Sequence, residues 1–260
     1  MMRRPKFADR YGTIGVVVVT HTQDWLEDCL DSIEAQTLQP HRTVVVDNAS
    51  PAERSASELA GARGIEVVRA DPGVSLAASR NLGITVLDDC DLIVTFDGDD
   101  VMKPDYLRRY RHIMRRVHAQ VAYGTAELFG TEEGLQFTPG DRDRRPDLRR
   151  GNFVPANSMF TRELWCRAGG FDPGQAIFED WDFWLSCATV GARFVAVEAP
   201  LWGYRRHATS MLNTAHQANK DAARSRIWHK HLRYIRGPLQ WRRGRRIAQK
   251  AWHRVQGVPQ

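Results

Sequence analysis

Three carboxylates lie close together near the middle of the chain, directly after a run of apolar residues. Asp97, Asp99 and Asp100 surround Gly98, and the apolar run Leu92 to Phe96 precedes them. Carboxylates at this spacing repel one another unless a cation lies between them. Magnesium and manganese prefer carboxylate oxygens and commonly bring phosphate groups with them. The cluster therefore predicts a site for a divalent metal and a phosphate, although Asp-Gly is also typical of a solvated turn.

A second group of acidic residues lies among aromatic residues further along the chain. The segment from Phe178 to Trp184 contains Glu179, Asp180 and Asp182 together with four aromatic side chains. Aromatic rings around an acid partly desolvate it, which raises the pKa of its carboxyl group toward the range of a general base. One acid of the Glu179-Asp180 pair could instead cap a helix. The rings could stack on a sugar or pack, and packing is expected for Phe183.

Apolar runs alternate with helical patterns in the first half of the chain. Strands are predicted at Ile14 to Val19, Thr43 to Val46, Ile65 to Arg69 and Leu92 to Phe96. Helices are predicted from Asp24, over Ala52 to Ala62 and over Ser75 to Ile84. Strands that are apolar on both faces are typical of a buried parallel sheet. The order predicts a doubly wound α/β half that binds a nucleotide at the carboxyl ends of its strands, where the acidic cluster falls.

Two features of these helices carry expectations about particular side chains. Asp24 and Glu27 have the spacing of a capping box at the start of the first helix. Arg80 is surrounded by small residues in the third predicted helix. It is either a surface residue or an arginine that faces a phosphate or a nucleobase, for which its forked guanidinium is suited.

The pattern changes after about residue 120. Predicted elements are a helix opened by Lys103-Pro104-Asp105, a short strand at Val121 to Tyr123, a loop over Gly124 to Arg150, a short helix at Arg162 to Cys166, and strands at Ala192 to Val197 and Leu201 to Tyr204. From Thr214 onward the chain reads as helical and basic, with a break at Gly237-Pro238.

Composition limits the classes of protein that need to be considered. The chain has 260 residues, a net charge of +6 and a pI of about 9.4, with basic residues concentrated at Arg142 to Arg150 and from Arg224 onward. The length fits one large domain or two joined halves. The four cysteines form no CxxC pair, so no zinc site or disulfide framework is indicated and a reducing cytoplasm is expected. No apolar stretch is long enough to span a membrane, and the N-terminus does not have the pattern of a signal peptide.

Six short motifs occur in an order that resembles one enzyme family. They are Cys29 to Ile33, Asp47-Asn48-Ala49-Ser50, Ala78 to Gly83, Asp97-x-Asp99, Glu179-Asp180, and Tyr204-Arg205-Arg206-His207 with Ser210. Together they resemble the family 2 glycosyltransferases, which are inverting enzymes of the GT-A fold that use nucleotide-sugar donors. The resemblance runs from about Gly15 to Ser210. It implies a nucleotide-binding half at about 12–120 and a mixed-sheet acceptor half at 121–213, followed by a basic helical tail at 214–260.

The resemblance implies roles for the residues that match the motifs. Asp99, Asp97 and His207 would hold Mn²⁺ or Mg²⁺, which offsets the charge of the leaving diphosphate. Residues expected on the nucleotide sugar are Thr20, His21, Asp47, Arg80, Asp97 and Gly98. Asp180 is expected to be the base, with Glu179 as its alternative or as an acceptor-binding residue beside Trp181.

The resemblance specifies the donor and acceptor only by class. A UDP-sugar is the first expectation and GDP- or dTDP-sugars are alternatives, because His21-Thr22 replaces the Tyr-Asn pair often found in the family. The acceptor would be a saccharide or a lipid-linked molecule in bacterial surface polysaccharide or glycolipid synthesis. The basic, tryptophan-containing tail favours peripheral contact of Gln240 to Arg254 with an anionic membrane. No nucleic-acid partner is expected, and the sequence does not specify an oligomeric state.

Three other classes of protein can be weighed against this interpretation. A nucleotidyltransferase would normally carry a glycine-rich basic loop after the first strand, where this chain has Thr20 to Gln23. A Rossmann dehydrogenase would carry a G-x-G-x-x-G motif there. A non-catalytic sugar- or nucleic-acid-binding module would be expected to lack the metal or base residues, and all of them are present.

Overall fold

The structure of the protein is a computed structural model that describes residues 11–22, 24–50, 55–136, 147–208 and 216–237. Its strands are β1 (Ile14–Thr20), β2 (Arg42–Asp47), β3 (Glu66–Arg69), β4 (Leu92–Asp97), β5 (Val101–Met102), β6 (Val121–Gly130), β7 (Gly134–Leu135), β8 (Met159–Thr161) and β9 (Phe194–Arg206). Its helices are α1 (Leu26–Glu34), α2 (Ala56–Ala62), α3 (Leu76–Val86), α4 (Tyr106–Val117), α5 (Arg162–Ala168), α6 (Glu179–Thr189), α7 (Gln217–Lys230) and α8 (Leu232–Arg236).

Within the described ranges, the strands form one mixed sheet in the order β3-β2-β1-β4-β8-β6-β9-β5, with β7 on β6. The first four strands in this order are parallel. All seven residues of β1 are buried, as the β-branched pattern predicts for a central parallel strand. The predicted doubly wound half is therefore confirmed. Its register sets Val19 opposite Asp97 and Thr20 opposite Asp47, which gathers polar strand ends at one edge.

The second half of the sheet brings the end of β9 to the edge where the polar ends of β1, β2 and β4 lie. β8 is antiparallel to β4, and β6 runs parallel to β9 up to the pair Gly130 and Arg206. The pairing shifts register between Gly124 and Ala126, where residues 198–201 of β9 are bulged out. As a result, the end of β9 lies beside the acidic turn that follows β4.

Three predictions about local structure are wrong. The predicted loop from Gly124 contains the second half of β6 and the short β7, because these residues pair with β9 and with each other. The two strands predicted after Ala192 are one strand, since the bulge carries Pro200 without ending the pairing. The proposed capping box does not form, because α1 begins at Leu26 with Trp25 at its N-cap.

Helices α7 and α8 pack against the domain that carries the sheet. Ile227 is fully buried in the core beneath α6. Asp182 in the first turn of α6 is also buried, and it binds Lys230 Nζ at 2.7 Å and His231 Nε2 at 2.9 Å. α8 ends at Arg236, before the predicted break. The segment Gln240 to Arg254, for which membrane contact is expected, lies outside the described residues. No helix among the described residues is long and apolar enough to cross a membrane.

We expect His231→Ala to destabilise the fold by about 2 kcal/mol, because it leaves the buried Asp182 carboxylate with one partner in place of two. Urea unfolding followed by circular dichroism measures the change. His229→Ala is the matched control, because His229 is exposed in α7 two residues before His231 and its loss should cost less than about 0.5 kcal/mol. Equal stability of both variants would show that the contact with Asp182 does not hold the C-terminal helices.

Candidate functional site

A pocket of about 630 Å³ opens at the carboxyl ends of β1 and β4. Both sequence-predicted acidic groups line it, together with residues from the end of β9. The acids that line it include Asp97, Asp99, Asp100, Glu179 and Asp180. His207, Thr20 and His21 lie on its wall as well. The fold therefore brings together residues that are more than 180 positions apart in the sequence.

Gly98 allows the acidic turn to lie directly against the end of β1. A Cβ atom at this position would be 2.7 Å from the Cβ atom of Thr20, which is closer than real side chains approach. The Gly98 amide also donates to the carbonyl oxygen of Val19 at 3.0 Å. The glycine is needed here for space, and it places the following two acids at the pocket.

Asp100 is the acid that fixes the turn to the rest of the fold. Its side chain is buried and accepts hydrogen bonds from Asn157 Nδ2 at 2.6 Å and from the Arg205 amide at 2.9 Å. Burial raises the pKa of Asp100 well above its ordinary value, and the charges of Asp99 and Asp97 raise it further. Asp100 therefore joins the acidic turn to the end of β9.

Asp99 and His207 form a pair in the pocket. Asp99 Oδ2 lies 3.0 Å from His207 Nε2, and the His207 ring lies over the ring of Trp25 with centroids 4.4 Å apart. Burial and the charge of Asp97 raise the pKa of Asp99, whereas the hydrogen bond with His207 lowers it. Trp25 thus supports a histidine that sequence reasoning could place here only by family resemblance.

Arg80 lines the pocket and connects the two acidic groups. Its side chain is only 2% exposed, with Nη2 2.7 Å from Asp97 Oδ1 and Nη1 hydrogen-bonded to Glu179 Oε1. It is therefore not a surface residue. Both arms of the guanidinium already hold carboxylates, and its expected contact with the nucleotide sugar stays a prediction.

Asp180 lies at the start of α6 and is partly exposed to the pocket. Its Oδ2 atom accepts a hydrogen bond from Asn152 Nδ2, and its Oδ1 atom accepts one from the Trp181 amide, both at 2.7 Å. Burial among protein atoms and the charge of Glu179 raise the pKa of Asp180 to about 7, against the opposing charge of Arg80. A carboxyl group with this pKa can accept a proton near neutral pH.

The backbone before Asp180 adopts an uncommon conformation. Phe178 has φ 61° and ψ 32°, in the left-handed region that bulky residues seldom adopt. It lines the pocket, and Arg224 of α7 lies over its ring at 5.1 Å. This conformation turns the chain so that α6 begins with Glu179 and Asp180 facing the pocket.

Two predicted ligand-binding residues are placed away from the pocket. Asp47 is fully buried and is held by the Ser50 amide, the Ser57 hydroxyl and Arg69. Trp181 is 5% exposed and donates its indole N–H to the carbonyl oxygen of Leu148 at 2.7 Å. Both side chains are bonded within the fold, and their expected contact with ligand stays a prediction. Phe183 is buried in the core, as predicted.

Several residues of the site were not predicted by motif or spacing. Asn152, Asn157 and Trp25 line the pocket and contact its acids or His207. Asn152 and Asn157 come from a connecting segment without periodicity, so only the tertiary structure reveals them. Trp25 also lies outside the six motifs.

The residues present fit a divalent metal that is held jointly with a ligand. Among the described residues, no three His, Cys, Asp or Glu side chains are arranged to hold a metal ion by themselves. Asp99 and His207 offer one oxygen and one nitrogen donor, whereas Asp97 is bound to Arg80. Magnesium and manganese are commonly held by one or two protein side chains together with phosphate oxygens of a substrate. Asp99 and His207 meet that requirement.

Comparison with known proteins agrees with this geometry. The model of the family described as "Glycosyl transferase family 2" matches residues 15–173, which is more than half of the chain. A curated relative from Bacillus subtilis (strain 168), described as "Uncharacterized glycosyltransferase YwdF", is 27% identical over 187 residues. That match covers 67% of this chain and 68% of the relative.

Solved structures with similar folds include complexes with UDP-GlcNAc and with UDP. The structure of S. aureus TarS residues 1–349 in complex with UDP-GlcNAc has a TM-score of 0.71 at 13% identity, covering 95% of this chain and 73% of that one. GalNAc-T7 with UDP, GalNAc and Mn²⁺ has a TM-score of 0.60 at 15% identity, covering 86% and 50%. A further TarS structure matches 86% of this chain but only 44% of its own. With the family match, these folds confirm the resemblance found in the sequence: the chain belongs to the family 2 glycosyltransferases and has their GT-A fold.

Proposed function

We propose that this protein transfers a sugar from a nucleotide-sugar donor to a hydroxyl acceptor with inversion, using a divalent metal at Asp99 and His207 and Asp180 as the base. The observation that carries the proposal is the bridge formed by Arg80. It joins Asp97 of the acidic turn to Glu179 beside Asp180, so one pocket holds both the acids suited to a metal and a carboxyl group suited to proton transfer.

The donor side of the proposal rests on the acidic turn and the end of β1. Thr20, His21 and Gly98 line the pocket there and are proposed to contact the nucleotide sugar. The bound metal would offset the negative charge that develops on the leaving diphosphate. Complexes of the structural neighbours with UDP-GlcNAc and with UDP and Mn²⁺ support a UDP-sugar and manganese as the first donor and metal to test.

The acceptor side rests on the first turn of α6. Inverting transfer requires a base to take the proton of the acceptor hydroxyl as its oxygen attacks the sugar. Asp180 has the partly open carboxylate and the raised pKa that this step needs. Glu179 is buried and bound to Arg80. These contacts suit a structural role for Glu179 in the site better than the role of a base that exchanges protons with solvent.

We expect Asp180→Asn to lose transfer by about 10² or more while keeping donor binding, because the amide cannot accept the proton. In the unmodified enzyme, kcat/KM should rise as pH increases toward about 7 and then level off, since only the ionised carboxylate can act as base. Released nucleoside diphosphate measures transfer, and nucleotide titration measures binding. Transfer at the normal rate by Asp180→Asn would assign the base to another acid, with Glu179→Gln as the next variant to test.

We expect Asp99→Ala and His207→Ala to weaken nucleotide binding that depends on Mn²⁺, because each variant removes one protein donor atom from the metal. Isothermal titration of UDP with and without Mn²⁺ measures the effect. Asp89→Ala and His41→Ala are matched controls, since they form another Asp–His pair, at 3.2 Å, that does not line the pocket. Metal-dependent binding that is equally strong in all four variants would contradict the proposed metal site.

We further propose that the acceptor is a saccharide or lipid-linked molecule of bacterial surface polysaccharide synthesis, and that the basic tail contacts an anionic membrane beside it. The composition of Gln240 to Arg254 supports this role, as does Trp228 of α7, which is 43% exposed among basic residues. Each basic residue near such a surface can contribute about 1 kcal/mol, less at higher salt.

The 260-residue chain should therefore sediment with anionic liposomes at low salt more strongly than a version that ends at Pro238, because the shortened version lacks all the Lys and Arg residues of the segment Gln240 to Arg254. Neutral liposomes serve as the control. Equal sedimentation of the two versions, or none of either, would exclude the tail as a membrane contact.

A further inference from the structure

Asn152 reaches the proposed base from a different part of the chain. It lies in the segment before β8, 28 positions before Asp180, and its Nδ2 atom donates to Asp180 Oδ2 at 2.7 Å. No motif in the sequence includes it. Because it lines the same pocket as Asp180, it can influence the carboxylate without excluding an acceptor from the pocket.

The orientation of the Asn152 amide is fixed by a second hydrogen bond. The backbone amide of Val154 donates to Asn152 Oδ1 at 3.2 Å. Since a backbone N–H can only donate, its partner must be the oxygen of the side-chain amide. The nitrogen is then the atom that faces Asp180. The short turn from Asn152 to Val154 thus presents a hydrogen-bond donor to the carboxylate.

The charges around Asp180 determine how much the hydrogen bond from Asn152 affects its ionisation. The charged groups that face Asp180 from neighbouring elements are Glu179 in α6 and Arg80 in α3. Glu179 favours the protonated form of Asp180. Arg80 opposes this effect, although it is bound to two other carboxylates. The Trp181 amide binds Oδ1, so Asn152 is the side chain that binds Oδ2. A donor to the charged form of an acid favours ionisation.

We propose that Asn152 is a positioning residue for the transfer reaction, whose amide keeps the Asp180 carboxylate ionised and orients its oxygens toward the acceptor hydroxyl. This inference rests on the proposed function, because it takes Asp180 to be the base. It adds a residue outside the motifs of the family. It also explains how a carboxyl group next to Glu179 stays usable as a base near neutral pH.

Two substitutions separate this role from a structural role in the turn. Asn152→Ala removes both hydrogen bonds. Asn152→Asp has the same shape and keeps an oxygen for the Val154 amide, but it replaces the donor facing Asp180 with a carboxylate oxygen. A purely structural Asn152 would therefore tolerate Asp and not Ala.

The experiment is the pH profile of kcat/KM for sugar transfer, from pH 5.5 to 9, for the unmodified enzyme and both variants. We expect the acidic limb to move upward by about one pH unit in Asn152→Ala, so that transfer at pH 6 falls roughly tenfold. The shift should be larger in Asn152→Asp, because a second carboxylate adds repulsion. The KM for the donor should change little in either variant, and circular dichroism checks that both are folded.

Each result has a defined meaning. Upward shifts in both variants support the inference. An unshifted limb in both variants, or a profile of Asn152→Asp like that of the unmodified enzyme, overturns it. If Asp180→Asn is inactive while the limb does not move in the Asn152 variants, only the role of Asn152 is lost. If Asp180→Asn transfers sugar normally, the assignment of the base fails and this inference fails with it.

Discussion

The site depends on one buried arginine that holds two acids from different parts of the fold. Arg80 extends from α3, and its two terminal nitrogens bind Asp97 at the end of β4 and Glu179 at the start of α6. Burying a guanidinium costs several kcal/mol unless carboxylates compensate its charge. Glu179 in turn needs Arg80, because it is almost fully buried. The charge of Arg80 is therefore balanced by one acid from β4 and one from α6, and these ion pairs link the parallel half of the sheet to the helix that carries the proposed base.

The second constraint is the pairing of β6 with β9, which returns the chain to its own acidic turn. The Arg205 amide binds Asp100 Oδ1, and Arg205 Nε binds the carbonyl oxygen of Asp99, each at 2.9 Å. These contacts cross more than 100 positions of sequence. His207 follows two residues later and meets Asp99. A strand that ended at residue 204, as the sequence predicts, would have left this contact without support from the sheet.

The parts of the fold that were predictable are those that depend on local sequence. Strands β1, β2 and β4 are buried on both faces, and their β-branched runs indicate this directly. The second half of β6 was missed because long-range pairing with β9, and not an apolar pattern, makes it a strand. In the site, the sequence predicted the acids, Arg80 and His207, but it predicted neither the contacts among them nor the partners Asn152 and Asn157. Asp47 and Trp181 were expected at a ligand, yet each is bound within the fold.

Three neighbouring acids acquire different chemistry because their partners differ. Asp97 faces the permanent charge of Arg80, and Asp100 is held by a backbone amide and by Asn157. The charge of Arg80 and the hydrogen-bond donors of Asp100 do not depend on a bound ligand. Asp99 is instead bound by His207, a side chain whose charge depends on protonation and whose nitrogen can also bind a metal. Within this cluster, Asp99 is thus the acid whose charge a bound cation is best placed to compensate, which gives the central carboxylate of the turn its proposed role.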